Sequence, residues 1–295
     1  MKTSVWKLGG LSWKELLKRV WSEFKADHIP DQSAELSYYF IFALFPLLLF
    51  LTALLGFFLE PGSALHNTIL NYAGAIAPQS VVDIIDKVLR EISAHATSGK
   101  ISIGLVVALW SASAGMSAMI TALNVAYEAT APRVWWKDKL IALVLTIGVA
   151  GLMLVAVVLA VFGGKAAELI SSELGLGKTV EWLWKILQWP LLLFLILVAF
   201  NLLYYFAPNV KHIGWHWLMP GTVIGVAIWL LVSIGLKIYL GLSNNYSATY
   251  GSIATVIILL LWFYLSGLAI LIGGEVNSEI EKATESQMNS AAAAS

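Results

Sequence analysis

Ser113, Ser117, Thr121, Asn124 and Glu128 follow one another at intervals of 4, 4, 3 and 4 residues. On a helix these intervals place all five side chains on one face. Inside a membrane such a face has two uses. Its hydroxyls and amides can replace the hydration shell of a passing solute, or its small side chains can let two helices pack closely. Two carboxylates stand apart from this face. Glu35 precedes Ser37, Tyr38 and Tyr39, and Glu275 follows Gly273-Gly274 and is joined by Asn277. Carboxylates at span ends suit proton or cation coupling, or simply a solvated helix end. His212 and His216 are four apart, but Gly214 lies between them and no HExxH acid accompanies them, so no metal site is expected. The chain has no Cys, which removes thiol catalysis, Cys-ligated zinc and iron–sulfur chemistry together. No phosphate-cradling loop, dinucleotide fingerprint or nucleophile elbow is found. No enzyme activity and no cofactor are expected. The residues expected to line a pathway are Tyr38, Tyr39, Ser113, Ser117, Asn124, Asn201, Tyr264 and Glu275.

The elements that must carry these residues are legible in the composition. Of 295 residues, 59% are hydrophobic and only 12% charged. Mean hydropathy is +0.80. Soluble domains carry about 25% charged residues, so this is the composition of a multi-spanning membrane protein. Formal net charge is zero, which excludes nucleic acid as a partner on electrostatic grounds. A membrane helix needs about 20 apolar residues. Six stretches qualify, at about 36–59, 101–126, 140–162, 186–206, 218–240 and 253–273. Lys237 is the single charge inside them and is close enough to an end to snorkel. Helices are the form that satisfies the backbone within lipid.

Eleven Lys and Arg residues fall on the side of the termini and seven on the other. By the positive-inside rule both termini are cytoplasmic. Trp135 and Trp136, then Trp182, Trp184 and Trp189, then Trp215 and Trp217 flank the spans, as interfacial Trp residues do. Three regions follow. Residues 1–35 form a cytoplasmic segment, 36–281 the six-span domain, and 282–295 a tail expected to be disordered. In the first region Trp13, Leu16, Leu17, Val20, Trp21 and Phe24 make an apolar stripe beside Lys14, Lys18, Arg19 and Lys25. This helix suits the anionic inner leaflet or the ends of the spans. The 41 residues between the first two spans show helical spacing, so a helical extracytoplasmic loop is expected. Pro46 should kink the first span. Gly221 and Gly225, in GxxxG spacing, allow close helix packing and a possible homo-oligomer.

Five blocks carry a family resemblance. They are AELSYYFIFALFPLLLF (34–50), WSASAGMSAMITALNVAYEA (110–129) with Arg133 and Trp135-Trp136-Lys137 after it, YYFAPNV (204–210), MPGTVIG (219–225) and YSATYGSIATVIILLLWFYLSGLAILIGGEVNSEIE (246–281). Together they resemble the YihY/BrkB family of bacterial inner-membrane proteins, in order from 34 to 281. The resemblance implies six spans and cytoplasmic termini. Members of that family were once labelled ribonuclease BN, a label generally regarded as mistaken, and one branch is named for a virulence factor linked to serum resistance. Transport or export of a small solute is the usual expectation, and the family supplies no settled site residues.

These readings converge on an all-α integral membrane bundle of six transmembrane helices in the bacterial cytoplasmic (inner) membrane. Its partners would be the lipid bilayer and a small solute. The leading expectation is a permease or exporter of a small polar or anionic solute. The alternative is a non-transporting envelope assembly protein, in which the same polar groups join helix to helix.

Overall fold

The computed structural model describes residues 5–56, 67, 70, 86, 100–130, 133–173, 179–210, 218–242 and 246–293. The expected helical loop between the first two spans, His212 and His216 fall almost wholly outside these residues. Among those described there is no strand. A 3₁₀ segment, Val5–Gly10, is followed by seven helices: α1 (Trp13–Ala26), α2 (Ile29–Gly56), α3 (Lys100–Ala126), α4 (Trp135–Glu173), α5 (Thr179–Phe206), α6 (Pro220–Leu242) and α7 (Tyr246–Ala293). Five of them, α3 to α7, are long and apolar enough to cross a membrane.

The chain divides into two compact units. One comprises Met1–Ile41 with Met116–Ser295, the other Phe42–Gly115. The second unit holds the later part of α2, with Pro46 in its interior as expected, and the first part of α3. The first unit holds everything else. Its core gathers Leu36, Leu123, Tyr204, Val226 and Leu271, all buried. Within it, α6 packs extensively on α7, and α4 on α5.

Helix ends differ from the sequence expectation in physically simple ways. α2 begins at Ile29, seven residues before the expected span. Pro30 sits in its first turn, where a missing N–H costs nothing, and Asp31 lies at the positive end of the helix dipole. α4 runs on to Glu173, through Gly163-Gly164. α5 starts at Thr179, seven residues before the expected span, so Pro190 lies in its interior. The expected disordered tail is helical as far as Ala293, with Ala283 and Thr284 buried. Residues 282–293 contain no Gly or Pro and include four Ala, so nothing stops the helix. At 48 residues α7 is about 72 Å long, more than twice the roughly 30 Å hydrocarbon core. Its charged end, from Glu275 onward, therefore projects beyond the apolar stretch that ends at Gly274.

α1 lies along this projecting end. Leu16 and Val20 pack on Val276 and Ile280, with Leu8 beneath them. Contacts run in opposite directions along the two helices: Gly10 meets Gln287, Arg19 meets Glu279 at 3.6 Å, and Asp27 adjoins Glu275. Helix α1 is thus antiparallel to α7, with Trp13, Leu17 and Trp21 exposed. A capping box starts it. Ser12 Oγ accepts from the Glu15 N–H at 3.3 Å, and the Glu15 carboxylate accepts from the Ser12 N–H at 2.9 Å. These donors hold the Glu15 carboxyl below its usual value of 4.5. The cap is therefore fully formed above the unfolded carboxylate range and weakens as pH falls through the lowered value. Ser12→Ala is expected to speed hydrogen exchange in the first turn of α1 while leaving α7 unchanged, which residue-resolved exchange would show.

Candidate functional site

The polar groups of the first unit collect where α1, the end of α3, the end of α5, the start of α6 and the charged end of α7 meet. Tyr204, near the end of α5, is fully buried, and its hydroxyl donates to Ile270 O at 2.8 Å. Gly225 and Gly273 leave the room for that phenol: a Cβ at Gly225 would come within 2.7 Å of the Tyr204 oxygen, and one at Gly273 would overlap it. One turn earlier, Gly221 presses against the Gly273 carbonyl. The first N–H groups of a helix have no intrahelical acceptor. Asn277 Oδ1 fills that role for α6, accepting from Gly221 N–H at 2.8 Å, just after Pro220 at the first helical position. The Gly221/Gly225 pair thus faces α7 of its own chain, so this spacing is occupied internally and gives no ground for a dimer.

The opposite side of the site is tied by Arg133. Its guanidinium donates to Asn209 Oδ1 at 3.0 Å, to Ala207 O at 3.2 Å and to Pro208 O at 2.7 Å, and lies 3.4 Å from Asp138. These carbonyls stand at the C-terminal end of α5, where a cation is favoured by the dipole. Asn124 completes the tie by accepting from the Asn209 N–H at 2.7 Å. Farther out, Lys282 donates to Glu128 at 2.7 Å and to Glu279 at 2.8 Å, and Arg19 approaches Glu279.

Glu275 is the exception in this otherwise well-paired region. It is fully buried, and neither carboxylate oxygen has a hydrogen-bond donor. Asp27 Oδ2 and Asn277 Nδ2 are also buried without a partner. Tyr127 lies within electrostatic reach of Glu275 and Glu281. Buried polar atoms are nearly always paired, so a group of unpaired ones marks a place where something else acts.

Glu275, Asn124 and Asn201 come to this end of the first unit. Asn201 is buried and accepts from Thr222 Oγ1 at 3.3 Å. Tyr264 is half-buried farther along α7. Tyr38 and Tyr39 are exposed and meet edge to face. The stripe on α3 falls in both units. Ser113, in the second unit, is buried with its hydroxyl donating to Trp110 O at 2.7 Å. Ser117, in the first, is half-buried and its carbonyl accepts from Thr121 at 3.1 Å. Glu35 is exposed, unlike Glu275.

Sequence reasoning missed Asp27, Arg133 as a clamp, and a polar seam along α7. In that seam Tyr204–Ile270, Trp229–Ser266 at 3.1 Å and Trp262–Ser233 at 3.1 Å follow the Asn277–Gly221 bond. The seam runs over about 22 Å of helix between residues 277 and 262. A Trp–Ser pair between two apolar helices has no periodic signature, so only the fold displays it. Among the described residues no group of three or more His, Asp or Glu side chains is arranged to hold a metal.

Comparison with known proteins gives the family. The family model described as virulence factor BrkB matches residues 20–295. A ribonuclease-like protein, YfkH, of Bacillus subtilis (strain 168) is 35% identical over 266 residues, covering 90% of this chain and 95% of that protein. A UPF0761 membrane protein of Xanthomonas campestris pv. campestris (strain B100) is 25% identical over 91% of this chain. Another, Smlt0865 of Stenotrophomonas maltophilia (strain K279a), is 27% identical over 88% of it. The chain spans 63% and 59% of the lengths of these last two. No solved structure matches.

Proposed function

The chain belongs to the virulence factor BrkB family of integral membrane proteins, and from that premise we propose that it is a permease or exporter of a small polar or anionic solute. The observation that carries this reading is Glu275. A fully buried carboxyl without a donor, beside the unpaired amide nitrogen of Asn277, is a costly feature in a bundle otherwise tied by satisfied bonds. Intramembrane and membrane-edge ionisable groups of this kind suit solute and ion pathways. The polar seam leading from Asn277 toward Ser233 supplies hydroxyl and indole groups along the route. Asn201, Tyr264, Ser113, Ser117, Asn124, Tyr38 and Tyr39 are proposed as further lining groups.

We also propose six crossings, with both termini on the cytoplasmic side of the inner membrane. α1 and the charged end of α7 pack together, so the number of crossings between them must be even. α3 to α7 supply five, and α2, with 28 residues or about 42 Å of helix, supplies the sixth. The excess of Lys and Arg near the termini supports the cytoplasmic side.

The ribonuclease-like name of the Bacillus subtilis relative suggests no residues here. RNA cleavage needs a metal cluster or a general base in a basic groove, and Lys282 and Arg19 are engaged with carboxylates.

Proteoliposomes loaded with a defined mixture of small polar and anionic solutes test the proposal. Protein-dependent release of at least one solute, read by mass spectrometry of the external medium, is the expected result. Release equal to that from protein-free vesicles for every solute would leave the envelope-assembly reading in its place.

A further inference from the structure

The unpaired atoms beside Glu275 include three buried carboxylate oxygens, Glu275 Oε1 and Oε2 and Asp27 Oδ2. Asp27 closes α1, and the turn that follows it places His28 at a positive φ of 49° before α2 starts. That turn brings the Asp27 carboxyl within electrostatic reach of Glu275 on α7, and oxygens of both carboxyls are buried there without a donor. Two carboxyl groups bond to each other only when one carries a proton. The surrounding charges do not neutralise the pair. From α1 it is faced by Glu23, and Arg19 is turned to Glu279. From the end of α3 come Tyr127 and Glu128, and from α5 comes Tyr204. From α7 itself come Glu279 and Lys282, and the Lys282 ammonium already donates to Glu128 and Glu279. His28 and Asp31, across the turn, are exposed and pair with each other at 3.4 Å.

We infer that Asp27 and Glu275 hold one proton between them, making the junction of the α1–α2 turn with α7 a proton-binding site. A proton fits where a metal ion does not. Hard cations take six or more oxygen ligands, whereas three unpaired oxygens are present and the remaining unpaired atom, Asn277 Nδ2, is a donor. Burial and the neighbouring Asp27 carboxylate act in the same direction on the Glu275 carboxyl, raising it from 4.5 to about 9. The folded state therefore binds a proton that the unfolded chain releases between these values. The contribution of the pair to stability is complete below 4.5 and is lost as pH rises toward 9.

The site includes Glu275, on which the transport reading also rests, but its test involves no flux and fails or succeeds separately. Infrared spectra of the full chain in detergent at pH 7 should contain the C=O stretch of a carboxylic acid. Glu275→Gln should abolish it, and Asp27→Asn should shift it by removing the partner. Gln matches the size of the neutral acid, so Glu275→Gln should fold, and the difference in melting temperature between wild type and this variant should fall as pH rises from 4.5 to 9. A wild-type spectrum without that band, a band indifferent to either substitution, a pH-independent melting difference, or a band removed on replacing choline chloride with sodium chloride would each overturn the proton site.

Discussion

Gly221→Ala is expected to lower the stability of the detergent-solubilised protein by about 3 kcal/mol, at the upper end of the usual cost of overpacking. A methyl group at this position would overlap the Gly273 carbonyl and come within 2.5 Å of Asn277 Oδ1. Both obstacles belong to α7: one is backbone, and the other is the side-chain oxygen held by the Gly221 N–H. The helices must therefore separate, which also weakens the Gly221 N–H bond to Asn277 and loosens the fit around Tyr204. The melting temperature should fall by roughly 5–10 °C. The comparison that isolates the cause is Gly235→Ala on the same helix, where nothing lies within 4 Å of the added carbon. That variant should be neutral or slightly stabilising, because Ala is favoured over Gly in a helix by about 1 kcal/mol. Equal melting temperatures for the two variants would mean that α6 and α7 are not packed as described.

Arg133→Ala is expected to cost a similar amount, about 3 kcal/mol, by a different route. The side chain is only 16% exposed, and its guanidinium serves Asn209, Ala207 O and Pro208 O together. Its removal leaves two carbonyls at the end of α5 without their donor, and charge-assisted bonds of this type contribute about 1.5–3 kcal/mol each with little additivity. Arg133→Lys should recover only part of the loss, since an ammonium is a point charge and cannot reach three acceptors in a fork. Thermal unfolding of both variants would check this. A full rescue by Lys would show that charge alone matters at this position.

Five of the expected spans were legible because the hydrophobic effect acts on composition: a run of 20 apolar residues announces itself without any tertiary information. Element ends were less legible. Pro30 reads as a terminator of α1 and is in fact part of the first turn of α2. The Ala-rich tail reads as low complexity, although its residues are good helix formers. The candidate site was half visible. Glu275 and Asn277 stand out because polar residues are rare after an apolar span, and Gly221 and Gly225 because of their spacing. Their partners were not visible. Asp27 pairs with Glu275 across 248 positions of sequence, and Asn124 meets Asn209 across 85. Contacts at such separations leave no periodic trace. The α3 stripe was legible only as a shared face: helical spacing does not show that Ser113 turns its hydroxyl back to Trp110.

Four of the five blocks that carry the family resemblance contribute residues to this region. NVAYEA supplies Asn124 and Tyr127, YYFAPNV supplies Tyr204 and Asn209, MPGTVIG supplies Gly221 and Gly225, and the last block supplies Gly273, Glu275 and Asn277. Their residues form the Arg133 clamp, the α6 cap and the buried carboxyl. The α1–α2 turn adds Asp27 from outside the blocks, which is why the proton pair has no motif of its own.

The most direct test of the account compares solute release from proteoliposomes containing wild type, Glu275→Gln or Ser290→Ala, an exposed position near the end of α7, at equal, verified incorporation. The account expects release by Glu275→Gln to drop at least about tenfold, equivalent to about 1.4 kcal/mol, with Ser290→Ala within about twofold of wild type. Undiminished release by Glu275→Gln would contradict it.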